Sequence, residues 1–95
     1  MTSLNKRKGA ARIPSNLVVV ENGQKGITRD ISATGVFFEM DTKHEIGSEI
    51  QFYIELDTPG GKLKLNCEAE VVRVEDLNGK VGIAAKILNQ EIIAI

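Results

Sequence analysis

The sequence predicts an all-β fold of six short antiparallel strands, closed into a small barrel or packed as a sandwich. Three observations carry this. Val, Ile and Thr supply 24 of the 95 residues, and such side chains pack well on a pleated surface. Turn-forming pairs such as Asn22-Gly23, Pro59-Gly60 and Asn78-Gly79 punctuate strand-length runs. No long helical pattern separates those runs.

The first strand spans residues 16–21 (NLVVVE), after the turn-prone Pro14-Ser15. The second covers about 24–31 and the third 34–40, close enough to pair through a tight connection near residues 32–35. The fourth, residues 49–56, is the cleanest: Ile50, Phe52, Ile54 and Leu56 alternate with Glu49, Gln51, Tyr53 and Glu55. After the turn at residues 58–61 a long fifth strand carries Leu63, Leu65, Cys67, Ala69 and Val71 on one face. Its phase slips at Val71-Val72, where a β-bulge would bend the strand as barrel closure requires. The sixth strand, after Asn78-Gly79, has Val81, Ile83, Ala85 and Ile87 inward. Residues 89–95 (NQEIIAI) are too few to type and form at most a short C-terminal segment.

Size and composition exclude several classes. Ninety-five residues make one domain, and a domain this small buries only about two-thirds of its unfolded surface, so one large pocket is not expected. The longest apolar run is four residues, against the roughly 20 of a membrane helix. No basic start leads into an apolar stretch, so a cytoplasmic location without membrane insertion is expected. The single cysteine, Cys67, rules out an internal disulfide and fits a reducing compartment.

The net charge of -1 conceals an asymmetry. Residues 1–12 carry Lys6, Arg7, Lys8 and Arg12 and no acid; the first acid is Glu21. A basic arm (residues 1–14) on a mildly acidic body points to an anionic partner at one end of the molecule.

Enzymatic constellations are nearly absent. His44 is the only histidine and sits in a polar connection, where it reads as a solvated loop residue. It supplies neither a nucleophile triad nor a metal-ligand spacing. Cys67 reads as a small buried hydrophobe. Glu68 and Glu70 point outward on one strand face. No catalytic residue, metal or cofactor is expected.

Two features remain: the arm, Lys6-Arg7-Lys8-Gly9-Ala10-Ala11-Arg12, and the segment Asp30-Ile31-Ser32-Ala33-Thr34-Gly35. Taken singly, each reads blandly, as a solubilising tail and as a hairpin connection with Gly35 at positive φ. Together they read as a site. The arm ends where the first strand begins, so its cations stay tethered to the rim that residues 30–35 can reach. An Asp carboxylate and a Ser hydroxyl there can meet the donor edge of a guanine, while arm cations meet phosphates. Gly35 would let a planar ligand approach the backbone.

A basic pair spaced i, i+4, then about twenty residues, then Asp-x-Ser-x-x-Gly in a six-stranded β chain, resembles the PilZ domain family. The resemblance runs from about Lys6 to Ile87. Asp30, Ser32 and Gly35 match each defining position of the second motif, and residues 79–87 resemble the family's last barrel strand. In the first motif, Arg-x-x-x-Arg, Lys8 stands four residues before Arg12, with Arg7 one position too early. The resemblance implies a split antiparallel barrel and a bacterial, non-catalytic receptor for the second messenger cyclic di-GMP. It assigns Arg7, Lys8, Arg12, Asp30, Ser32 and Gly35 to ligand binding, with arm ordering as the switch. It also allows a protein partner, a fused domain or a homodimer. The alternatives are a PilZ-like protein-interaction module without nucleotide binding and, more distantly, a small-barrel nucleic-acid binder. The acidic body and only four aromatic residues speak against the last.

Overall fold

A computed structural model of the chain describes residues 13–94. Lys6, Arg7, Lys8, Arg12 and Ile95 lie outside the described residues, and with them the expectation of a flexible arm. The described residues form seven strands and no helix: β1 (Ile13–Pro14), β2 (Val18–Glu21), β3 (Gln24–Ile31), β4 (Gly35–Met40), β5 (Glu49–Thr58), β6 (Gly61–Asp76) and β7 (Val81–Ala94).

All pairings are antiparallel, in the order β1-β3-β2-β5-β6-β7-β4, and a further β3–β4 pairing closes the ring. The result is the expected six-stranded barrel with one extra short strand, β1. Hairpin chemistry sets the registers. Asn22 and Gly23 both have positive φ, at 55° and 80°, as do Asn78 and Gly79, at 59° and 101°. This is the twist that a two-residue hairpin loop requires. Three bulges bend the walls: Arg29 in β3, Val72 in β6 and Leu88 in β7 each stand as the extra residue between two registers. The second is the bulge that the phase slip predicts.

The interior is one apolar cluster. Val19, Val36, Phe38, Met40, Ile54, Ala69, Val71 and Ile83 are essentially without solvent contact. The Phe38 and Phe52 rings meet with centroids 5.3 Å apart, joining β4 to β5 across the barrel. The alternation in β5 holds: Ile50, Phe52 and Ile54 are buried, while Gln51 and Glu55 are exposed. Cys67 is buried within the cluster, and burial pushes its thiol up to about 11. It stays protonated, and therefore poorly nucleophilic, at neutral pH.

Four boundaries or environments differ from the expectation. Pro14 is not a turn residue but half of β1, and the interrupted strand β1–β2 runs along one edge of β3. Proline is tolerated there because β1 is an edge strand. Residues 89–94 do not separate as a tail; they continue β7 and pair with β6 as far as Leu63. His44 is not a solvated loop residue. Its side chain is 8% exposed, and its Nε2 lies 2.9 Å from Glu21 Oε1 while Nδ1 lies 3.2 Å from the Thr42 carbonyl. The imidazole therefore pins the β4–β5 connection to the end of β2. Finally, a concavity of about 580 Å³ lies between the β2–β3 turn and the outer faces of β5–β7, with Asn22, Tyr53, Asn66, Glu68 and Glu91 on its walls.

The break between β1 and β2 leaves backbone groups that no ladder satisfies, and Thr28 resolves them. Thr28 is fully buried, yet its Oγ1 accepts the Leu17 N–H at 2.8 Å and shares a hydrogen bond of 2.8 Å with Ser15 Oγ. The Thr28 N–H donates to the Leu17 carbonyl at 2.8 Å, and the Ser15 N–H to that of Arg29 at 2.9 Å. Thr28→Val keeps the shape but strands the Leu17 N–H, so urea denaturation is expected to show a loss of about 1–3 kcal/mol, with Thr28→Ser losing less. Cys67 is expected to react with a thiol reagent only at the rate at which the barrel opens, and at the rate of a free thiol in urea.

Candidate functional site

Strand β1 and the start of the Asp-x-Ser-x-x-Gly segment meet along β3. Ile13 lies opposite Ile31 and Pro14 opposite Asp30. Ile13 and Pro14, far from the second motif in sequence, are thus its neighbours in one sheet, at the rim where β3 turns into β4.

The bulge at Arg29 decides how the aspartate is presented. Thr28 pairs with Phe38, and Asp30 pairs with Phe37, so Arg29 and Asp30 together face a single residue of β4. A bulge of this kind re-aims a side chain and increases local twist. Thr28 points into the core, whereas Arg29 is exposed and Asp30 half-buried. Arg29 Nη1 reaches Glu39 Oε2 at 2.6 Å on the outer face.

Beyond Asp30 the chain turns tightly. The Ser32 N–H donates to the Gly35 carbonyl at 2.8 Å. Ser32 Oγ accepts the N–H groups of Gly35 (3.1 Å) and Thr34 (3.3 Å), and its hydroxyl donates to the Gly35 carbonyl at 3.3 Å. The serine is therefore built into the turn, the use for which a short hydroxyl side chain is suited. Gly35 differs from the expectation of positive φ, since the positive-φ glycines among the described residues are Gly23, Gly47, Gly61 and Gly79. Its requirement is one of space: a Cβ there would lie 3.0 Å from the Ala85 carbonyl oxygen. The close approach is to the neighbouring strand β7, which is held at this point by the Ile87 N–H donating to the Thr34 carbonyl at 2.9 Å.

The structure adds residues that the sequence reading missed. Asp30 pairs with Phe37, Phe37 with Ala84, and Ala84 with Arg73, a row that continues Pro14–Asp30 across three more strands. The Arg73 guanidinium lies over the Phe37 ring, 5.5 Å from its centroid, and its Nε donates to Glu75 at 2.7 Å. The ring lies down on β7 because Gly82 has no side chain; a Cβ there would sit 2.7 Å from Phe37 Cζ. Lys86 stands opposite both Gly35 and Glu70. The outer face beside Pro14 thus carries a carboxylate, an aromatic ring and cations. The signal that could have found Arg73 was present, because the bulge at Val72 moves the next residue to the outer face. The bulge at Arg29 has no comparable signature.

Of the expected site residues, the structure brings Asp30, Ser32 and Gly35 together; Arg7, Lys8 and Arg12 lie outside the described residues. Among the described residues no three His, Cys, Asp or Glu side chains are grouped as a metal would need. The concavity beside Tyr53 is lined by other residues than these and offers amides and carboxylates, the wrong polarity for a dianion.

Comparison with solved structures finds the Bacillus subtilis inhibitor of motility (MotI/DgrA) at a TM-score of 0.77 and 17% sequence identity, covering 93% of this chain. The chain spans 45% of that protein, so the likeness is one of fold. Comparison with curated protein sequences gives no match. The profile of the PilZ domain matches residues 5–94, nearly the whole sequence, and the chain belongs to the PilZ domain family.

Proposed function

We propose that the chain is a non-catalytic receptor domain that binds cyclic di-GMP where the arm enters the barrel, and that ordering of the arm on the ligand is the switch. The observation that supports this most directly is the register of β1 on β3, which sets Pro14 beside Asp30 and Ile13 beside Ile31. Arg12 precedes Ile13 by one peptide, about 3.8 Å between Cα atoms, and Lys8 by five residues, at most roughly 17 Å of chain. Charges tethered this close to a fixed strand come within reach of a ligand at the rim as the arm orders on it.

The chemistry divides between the two motifs. The Asp30 carboxylate accepts, so it suits the N–H donors on the Watson–Crick edge of guanine. Ser32 and Gly35 fix the turn beside it. The hydroxyl can exchange its long 3.3 Å bond to the Gly35 carbonyl for a ligand acceptor while still accepting the two backbone N–H groups. Arg12 contributes a planar fork that binds phosphate or the guanine O6/N7 edge bidentately. Lys8, or Arg7 one residue earlier, adds charge to the phosphates. Phe37 and Arg73 extend the surface along which a second base would lie. Binding on an exterior rim leaves the barrel intact, so the change seen by a partner is the arm itself.

Isothermal titration with cyclic di-GMP tests the reading. Saturable binding below the millimolar range is expected, weakened at least about tenfold by Arg12→Ala and by Asp30→Ala, since each removes a hydrogen bond to a charged group. Undetectable binding to the unaltered chain overturns the nucleotide reading and leaves the protein-interaction module. Lys8→Arg is expected to tighten binding several-fold, because a fork replaces a point charge.

A further inference from the structure

The bulge in β3 sets a cation beside Asp30. In an even ladder the side chains of Thr28, Arg29, Asp30 and Ile31 would alternate between the two faces. Instead Thr28 is fully buried and Ile31 packs against the core, and the two residues between them both face outward. Arg29 is exposed, and Asp30 lies opposite Phe37, whose ring is on the outer face under Arg73. Two residues against one is what a bulge provides. Arg29 is held loosely there. Its Nη1 lies 2.6 Å from Glu39 Oε2, with the two side chains 57% and 23% exposed. That contact is monodentate and uses one of the five N–H donors of a guanidinium.

A carboxylate only accepts hydrogen bonds and a guanidinium only donates them. Side by side, the two match one edge of one base. Guanine presents N–H donors at N2 and N1, followed by acceptors at O6 and N7, and an arginine fork fits O6 and N7 together. A phosphate suits this place less well. Arg29 stands between two carboxylates, Asp30 next to it on β3 and Glu39 across on β4, and a phosphate seated on it would face both negative charges. An uncharged base meets no such repulsion. We infer that Arg29 reads a guanine at O6 and N7 while Asp30 takes its N–H donors, and that Glu39 holds the guanidinium until the ligand arrives. This rests on the cyclic di-GMP reading above and deepens it: base recognition moves onto β3, and the arm cations are left to the phosphates. It also sets specificity, because adenine carries the N6 donor where guanine carries O6.

Isothermal titration of the full chain compares cyclic di-GMP with its 7-deazaguanine analogue, which lacks the N7 acceptor. The unaltered chain is expected to bind cyclic di-GMP at least about three-fold more tightly than the analogue. Arg29→Lys keeps the charge and loses the fork. It is expected to weaken cyclic di-GMP at least about five-fold and to bind the two ligands alike, within about two-fold. Glu39→Gln frees the guanidinium, and an ion pair this exposed sets the gain at about two- to five-fold tighter binding. A pair that served only to fasten β3 to β4 would give no gain. Circular dichroism and thermal midpoints verify that each variant is folded. Undetectable binding of cyclic di-GMP to the unaltered chain overturns the nucleotide reading and this inference with it. Binding that Arg29→Lys leaves unchanged overturns the inference alone. Equal affinity of the unaltered chain for the two ligands assigns Arg29 to a phosphate and overturns it as well. No gain from Glu39→Gln overturns the hold by Glu39.

Discussion

The arrangement of the rim depends on one buried hydroxyl. Thr28 Oγ1 satisfies the Leu17 N–H and bonds Ser15, in the gap where the strand along the edge of β3 is interrupted. Without it, the gap would hold a buried donor with no acceptor, a cost large enough to favour fraying of residues 13–17. With it, the chain crosses from β1 to β2 in one path, and the register that sets Pro14 on Asp30 follows. The position of Pro14 relative to the aspartate thus rests on a polar group in the core, two residues before Asp30.

The bulges do comparable work for the outer surface. In an uninterrupted ladder side chains alternate strictly, and a residue next to an inward one faces out. The extra residues Arg29 and Val72 break that alternation on two strands that flank β4 and β7. Both breaks fall at the same level of the barrel, so Asp30, Phe37 and Arg73 come onto one row. The closed wall and the exterior row are therefore one design: the same irregularities that curve the strands also bring these three side chains into line.

Much of this was legible in the residues. The alternation of Ile50, Phe52 and Ile54, the Asn-Gly turns and the slip at Val71-Val72 are local signals, and each survives in the folded chain. The Asp-x-Ser-x-x-Gly segment was also readable, because Ser32 and Gly35 shape their own turn. What was not legible is long-range. Pro14 signals a turn by itself, and only the presence of β3 makes it an edge-strand residue. His44 reads as solvated until Glu21, 23 residues earlier, is placed against it. Gly35 was assigned a conformational need, whereas its need is for room beside Ala85, a neighbour that no local pattern names. Residues 89–94 carry too little periodicity of their own; their strand is dictated by β6.

Pro14 has a further consequence for the edge on which it stands. The Ser15 N–H turns inward to β3, so the nitrogen of Pro14 faces the open side of β1. A proline brings no N–H to a ladder, and a strand docking along the described part of that edge would lose a hydrogen bond there. One imino nitrogen thereby makes the outermost strand a poor template for assembly.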